Sequence, residues 1–460
     1  MSTMITADLL VIGFGKGGKT LAAALGAQGR RVVVVEQSAQ MYGGTCINVG
    51  CVPTKSMVYR GEMRTSDGDG AAAYSEAVAA TATLTAGLRA VNLGMFAPIP
   101  TATVLTGHAA FVDEHTVAVD TADGRAVVTA SNIVIGTGSV PVIPDIPGLR
   151  DCPVALTSAE LLSALPRPDR LVILGGGYIG LEFASMMAAY GTEVTVLERH
   201  SAILGGEDED VATAVREVLA AAGVSVVTGV EIDGVESTSE TSATIHFTAA
   251  GTESAAVADV ILVALGRRPN TEDLSLHNAG VQTTPTGAIE VDEFRRASRL
   301  HIYAVGDVNG GPQFTYISLD DYRIVADQLA GADHPRSAAD RVAVPSCLFL
   351  TPPLARVGMT ERQARAAGHQ VKTASSPVAK LATVARARIV DQTDGIMKVV
   401  VDAETDQFLG AALLCYDAHE VINLVAMAMR HRLTASMMRD EIYTHPSMSE
   451  CFNQLLWMLR

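Results

Sequence analysis

Positive charge is in short supply in this chain relative to negative. Its 34 Lys and Arg stand against 50 Asp and Glu, a formal net charge of −16. A surface of that sign repels phosphate backbones and anionic lipid, so neither nucleic acid nor a membrane is expected as a partner. Long apolar runs are missing too. The least charged long stretch, Ala71 to Leu88, is mostly Ala and Thr and still holds Glu76, so a helix of a soluble domain is expected there rather than a span. No export leader is expected, because Met1 to Ala7 is polar and runs straight into a strand pattern. Cysteine is sparse, six in 460 residues. Without an export signal that points to a reducing cytoplasm, where a close cysteine pair is expected to be catalytic or metal-binding rather than a staple.

What the chain does have is apolar residues, 48% of the total, and 41 glycines. The length is too great for one core and predicts roughly three domains. The first motif is GFGKGGKT, Gly13 to Thr20, after the apolar run DLLVI. Read as G-x-x-x-x-G-K-T it is a P-loop, with Lys19 and Thr20 facing a triphosphate and magnesium. Read as G-x-G-x-x-G, with Gly13, Gly15 and Gly18, it is a dinucleotide turn. The context favours the second. TLAAALGAQG reads as a helix, RRVVVVEQ as a second strand, and that strand ends in Glu36, where a dinucleotide fold needs an acid for the ribose. A P-loop enzyme would need a later strand ending in a magnesium-binding Asp; HIYAVGDV, with Asp307, is the best candidate for it.

The second motif is GGTCINVGCVPTK, Gly43 to Lys55. In a regular helix Cys46 and Cys51 would lie ~140° apart around the axis and could not be bridged. A bridge requires an irregular segment, which Asn48, Val49 and Gly50 can supply. Pro53 suits the first position of a following helix. Cys51 would then sit at a helix N-terminus, whose dipole favours a thiolate. Two neighbouring buried cysteines, or a metal site, remain open on these residues alone.

Taken together, the segments resemble the flavoprotein disulfide reductases, the group of lipoamide dehydrogenase, glutathione reductase and mercuric reductase. The resemblance spans the chain: the GGTCINVGCVPTK segment, GHAAF from Gly107, IVIGTGSVP from Ile133, GGGYIGLE from Gly175, GRRPN from Gly266, YAVGDV around Asp307 and HPSMSE from His445. It implies an α/β fold with two Rossmann-like dinucleotide-binding domains, for FAD and NAD, and a C-terminal α+β dimerisation domain. The implied segments are 1–148 and 265–340 for FAD, 149–264 for the nicotinamide cofactor and 341–460 for the interface.

The second glycine turn, Gly175, Gly177 and Gly180, leads through a helix to a strand ending at Glu198. Glu198 favours NADH, since a carboxylate holds ribose hydroxyls and repels a 2′-phosphate, although Arg199 beside it could offset part of that and leaves NADPH possible. The resemblance implies a redox-active Cys46–Cys51 disulfide, with Cys51 nearest the flavin and Cys46 the outer thiol that meets substrate. It implies Lys55 near the flavin and paired with Glu182, Tyr178 covering the nicotinamide pocket and Asp307 on the ribityl chain. His445 and Glu450 would form an acid–base pair reaching the disulfide of the other subunit of a homodimer. Gly44, Thr45, Ala109, Thr137, Gly138 and Thr315 are implied on the FAD side, and Ile179, Val230 and Gly266 among the further cofactor contacts.

Departures narrow the substrate. Mercuric reductases usually carry adjacent C-terminal cysteines and often an N-terminal metal-binding domain, and neither pattern is present; Cys451 stands alone, and with Cys152, Cys347 and Cys415 it reads as structural. No metal ligands are assigned. QFTYISLDDYRIV, MYGGTCIN, FLTPPLARVGMTE and THPSMSE resemble the reactive-chlorine-resistance flavoproteins of this family. That implies NADH-dependent reduction of a small oxidant, hypothiocyanous acid or Cu(II), in oxidative-stress defence in the cytoplasm. Lipoamide dehydrogenase, a mercuric-reductase-like metal reductase and a non-catalytic thiol sensor are the alternatives.

Overall fold

Buried β-branched runs set the architecture. In the computed structural model, which describes residues 3–64 and 68–460, the chain divides into two compact units. The first holds residues up to Ser56, Val78–Val142 and Gly266–Arg341; the second holds Met57–Ala77, Ile143–Leu265 and Val342–Arg460. Met1 and Ser2, the start of the polar lead, lie outside the described residues. Among those described, no helix is long and apolar enough to cross a membrane.

In the first unit, β1 (Thr3–Ile12) leads through α1 (Lys16–Ala27) to β2 (Val32–Glu36), and β1 pairs in parallel with β2. The four valines of β2 are all buried, as expected of a strand in a parallel sheet covered on both faces. Each such side chain contributes about 1.5–3 kcal/mol on leaving water. The short helix α2 (Thr45–Asn48), then α3 (Cys51–Glu62) and α4 (Gly70–Gly94), precede β3 (Ala102–Phe111), β4 (Thr116–Thr121) and β5 (Gly124–Ile135). Helix α4 spans the Ala- and Thr-rich stretch predicted as one. β3 pairs in parallel with β2, β5 with β1, and strand Ile302–Ala304 with β5, while β4 links β3 and β5 antiparallel. The parallel strands thus end together at one edge, where the glycine turn and Asp307 stand.

The second unit contains a parallel sheet ordered Val224–Thr228, Glu193–Glu198, Arg170–Leu174, Val260–Val263 and Ala155–Leu156. An antiparallel trio, Val230–Ser239, Ser242–Ala249 and Thr252–Ala258, is inserted in the chain before that sheet's strand Val260–Val263. The same unit also holds a five-stranded antiparallel sheet from residues 346–414, whose core includes helix Ala418–Arg430.

One buried charge ties the first unit's edge together. Asp321, fully buried on helix Thr315–Ala330, accepts from Gly306 N at 2.7 Å and Asn309 Nδ2 at 3.2 Å and pairs with Arg341. It therefore fixes the backbone immediately before Asp307. Removing a partner from a buried ion pair leaves the other charge uncompensated. Asp321→Ala is expected to cost roughly 3–5 kcal/mol, read by chemical denaturation.

Candidate active site

Two carboxylates at two strand ends do the same work. In the first unit Glu36 Oε2 accepts from Phe14 N at 3.0 Å and Oε1 from Ser38 N at 3.2 Å. In the second, Glu198 Oε2 accepts from Gly176 N at 2.6 Å and Oε1 from His200 N at 2.8 Å. Each acid is thereby held against a glycine turn. Gly13 and Gly175 have φ of 101° and 104°, and a Cβ on either would lie 2.3 Å from Gly136 O or 2.7 Å from Ala264 O. Only glycine permits that approach. Gly15 and Gly177 cap their helices, Gly18 and Gly180 are buried one turn later, Ile179 is half-buried and Arg199 is exposed. Val230 is buried in the core at the start of its strand.

The P-loop alternative is excluded by posture. Lys19 is 3% exposed and hydrogen-bonded to Asn92, and Thr20 Oγ1 donates to Lys16 O at 2.6 Å. Neither is presented to a phosphate.

A cleft of about 360 Å³ in the first unit brings the expected FAD residues together. Gly13, Gly15, Glu36, Gly44, Thr45, Ala109, Thr137, Gly138, Asp307 and Thr315 line it, with Cys46 and Cys51. A turn of close-packed glycines, a strand-end acid and bare backbone fit a dinucleotide; the thiols fit a redox partner beside it. Asp307 Oδ2 accepts from Ser139 Oγ at 2.7 Å, and Ser139 Oγ accepts from Arg267 Nε at 2.8 Å. Thr137 Oγ1 donates to Asn270 O at 2.7 Å, and Asn270 N to Gly138 O at 3.0 Å. Gly266, at φ 112°, stands just before Arg267.

The cysteine segment breaks where expected. Helix α2 stops at Asn48, Val49 leaves the helical region with ψ 12°, and α3 starts at Cys51. Pro53 is therefore the third residue of α3, not the first; its missing N–H costs nothing there either, because the first turn has no intrahelical acceptors. Cys46 is half-buried and Cys51 exposed; both are free thiols, and the charge on each bears on the other. Thr315 Oγ1 lies 3.7 Å from Cys51 Sγ. The Cys46 thiol, the Thr315 hydroxyl and the Lys55 ammonium together outweigh burial and pull the Cys51 thiol down to about 6. The neighbouring Cys51, with burial, pushes Cys46 well up. The two directions together favour Cys51 as the site of negative charge in the reduced pair. Cys152, Cys415 and Cys451 are buried and Cys347 half-buried.

In the second unit, Glu182 is buried and accepts from Phe349 N at 2.9 Å. Tyr178 opens its helix, half-buried, and burial raises the pKa of its hydroxyl. His445 Nδ1 is 2.9 Å from Glu450 Oε1, and Ser447 N donates to Glu450 Oε2 at 2.8 Å. Burial raises the Glu450 carboxyl, but the Ser447 amide and the His445 ring outweigh it and hold it below its usual range. The carboxylate thus orients an imidazole that is mostly open to solvent. Sequence reasoning gave no role to Ser139 and Asn270, although both lie in its quoted motifs, and missed Asn92 and Arg89. Each acts across dozens of residues or more.

The comparisons with known proteins agree with this geometry. A model of the pyridine nucleotide-disulphide oxidoreductases matches residues 7–321, and a model of the dimerisation domain of that group matches 344–456. The chain is 43% identical over 452 residues to a protein of Escherichia coli (strain K12) called probable pyridine nucleotide-disulfide oxidoreductase RclA, covering 98% of this chain and 99% of that one. It is 34% identical to a mercuric reductase of Staphylococcus aureus, covering 96% of this chain and 80% of that protein. Among solved structures, a Cu(II) complex of the HOCl-induced flavoprotein disulfide reductase RclA from Escherichia coli is similar with a TM-score of 0.92 at 42% identity, over 99% of both chains.

The unequal thiols have a measurable consequence. In the reduced, flavin-loaded protein, the long-wavelength absorbance of a Cys51 thiolate against the flavin is expected to persist down to about pH 6 and to fade as pH drops through that value. Cys46→Ala removes the largest stabilising partner and is expected to move the midpoint up by about a unit or more. A pH titration of that absorbance checks both.

Proposed function

Because the chain belongs to the pyridine nucleotide-disulphide oxidoreductase family, we propose that it uses Cys46 and Cys51 to reduce a small thiol-reactive oxidant, hypothiocyanous acid, at the expense of NADH. The family assignment makes it an NAD(P)H-dependent flavoprotein oxidoreductase of the RclA-like kind, with two dinucleotide-binding domains and a dimerisation domain. The observation that carries the finer reading is the pair of free thiols, Cys46 and Cys51, in the cleft lined by the glycine turn and Asp307.

FAD supplies the relay of two electrons from the nicotinamide to the disulfide. Residues 1–148 and 265–340 are assigned to holding it, 149–264 to the nicotinamide cofactor and 341–460 to the subunit interface. Lys55 and Glu182 are assigned to the flavin side of the chemistry, and Tyr178 to the nicotinamide pocket, which it would cover with the cofactor bound. Glu198, its carboxylate held at the second glycine turn, is the ribose acceptor and the reason for preferring NADH over NADPH.

The outer thiolate, Cys46, attacks the oxidant's sulfur; hydroxide leaves and takes a proton to become water. A Cys46–S–SCN adduct remains. Cys51 thiolate then attacks the Cys46 sulfur, thiocyanate leaves and the disulfide forms. Two electrons from NADH restore the dithiol. The low proton affinity of Cys51 serves the second step, since a thiolate is the attacking species. Cu(II), bound in the Escherichia coli relative's solved complex, is an alternative acceptor for the same soft sulfurs.

His445, oriented by Glu450, supplies and removes the protons, acting on the thiols of the other subunit of a homodimer. Large apolar side chains exposed near the C-terminus support that assembly: Ile442 is 96% and Trp457 70% exposed, with Met427 and Met437 also open.

Steady-state NADH oxidation with hypothiocyanous acid, Cu(II), lipoamide and glutathione disulfide side by side tests the reading. Turnover is expected to be fastest with hypothiocyanous acid and to fall at least about a hundredfold in Cys46→Ser, the scale of losing an activated nucleophile. Preferred turnover of lipoamide would make the protein a lipoamide dehydrogenase instead. Glu450→Gln is expected to lower kcat about tenfold or more and to flatten the pH dependence, because the imidazole loses its orienting carboxylate.

A further inference from the structure

The lysine of the GKT motif has no part in the dinucleotide turn, yet it is buried. Lys19 sits one turn into α1, and its ammonium reaches Asn92 Oδ1 on α4. Asn92 Nδ2 donates to Leu88 O at 2.7 Å, so the amide is oriented with its oxygen toward the lysine.

This bridge runs behind the cysteine loop. A Cβ on Gly44, at φ 75°, would lie 2.7 Å from Gly15 Cα, so the loop rests on the start of α1. A Cβ on Gly43 would lie 3.3 Å from Asn92 Cγ, so the loop rests also on α4. Arg89, one turn before Asn92, donates to Asn48 Oδ1 at 2.9 Å and Gln40 Oε1 at 2.6 Å. The segment Gly43–Asn48, with Cys46 in it, is clamped between the two helices that the Lys19–Asn92 bond joins.

A buried ammonium held by a neutral amide keeps a field that no carboxylate among the described residues is paired to cancel. Lys16, which opposes the charge, and Cys46, which supports it, are the ionisable groups bearing on Lys19, and burial itself brings the amine down to about 8. Cys46 is faced by Cys51, Thr315 and Lys19; Cys51 is faced by Cys46, Thr315 and Lys55. Two lysines therefore act on opposite ends of one shared charge, Lys55 from the Cys51 side and Lys19 from the Cys46 side.

We propose that Lys19 is a positioning residue for the dithiol, which draws the single negative charge toward Cys46 and so raises the share of time the outer sulfur is the nucleophilic thiolate. The proposal rests on the reading of Cys46 as the outer thiol. Lys55 stabilises the resting charge on Cys51; Lys19 keeps the alternative on Cys46 within reach. Asn92 sets the ammonium in place without neutralising it.

Two readouts on the reduced holoenzyme test this. Site-resolved mass spectrometry gives the rate of Cys46 alkylation by iodoacetamide against pH, and long-wavelength absorbance gives the Cys51 thiolate. In Lys19→Met the Cys46 rate at pH 7 is expected to fall roughly tenfold, about one pKa unit of lost stabilisation, while Cys51 absorbance at the same pH rises or holds. Lys19→Arg is expected to retain most of the rate. Asn92→Asp, which gives the ammonium a carboxylate in the same place, is expected to slow Cys46 several-fold and serves if Lys19→Met does not fold.

Unchanged Cys46 profiles in Lys19→Met or Asn92→Asp would overturn the proposal, as would an equal loss in Lys19→Arg or a parallel fall of both thiols. Failure of the oxidant assignment is separate. It shows in Cys46→Ser turnover and leaves these alkylation rates untouched.

Discussion

A helix that stops at Asn48 and restarts at Cys51 is the constraint from which the chemistry follows. Had the helix run on, the two sulfurs would point in different directions and each would be an ordinary thiol. The break folds Cys46 back to Cys51 and gives Cys51 a helix start, a hydroxyl neighbour and a nearby ammonium. It also costs local hydrogen bonds, so something must hold it. Glycines at 43 and 44 let the loop lie against Gly15 and Asn92, closer than any side chain would permit.

The glycine turns and the acids at the strand ends form a second level. Glu36 and Glu198 each receive one backbone amide from their own glycine turn and one from the residue two positions on. The same device, built twice in one chain, presents a rigid carboxylate beside a patch of bare backbone. Asp307 is treated differently. Its acceptor is engaged by Ser139 and its backbone is steadied by Asp321, so its direction depends on a hydroxyl and a buried ion pair from distant segments.

Much of the site was legible because its motifs are local. Gly13, Gly15, Gly18 and Glu36 obey a spacing set by one strand, one turn and one helix, and the structure places them in that form. His445 and Glu450 lie five residues apart and do meet. The position of Pro53 was misjudged by two residues because nothing local states where a first helical turn begins when a glycine precedes it. Lys19 was misleading for a related reason. The letters G-K-T fit a phosphate loop, and only the fold shows the side chain turned inward to α4.

By itself the sequence determined the repeated strand–glycine–helix units, the acids that end them and the cysteine spacing, because each is written within some thirty residues, and the family through the order of such motifs along the chain. Tertiary structure alone decided which neighbours act on the two sulfurs, which way Lys19 points and what steadies Asp307. Those outcomes depend on burial and on partners such as Thr315, Asn92, Ser139 and Asp321 that stand far away in the chain, and charge on a sulfur is settled by whatever surrounds it in space rather than by its neighbours in sequence.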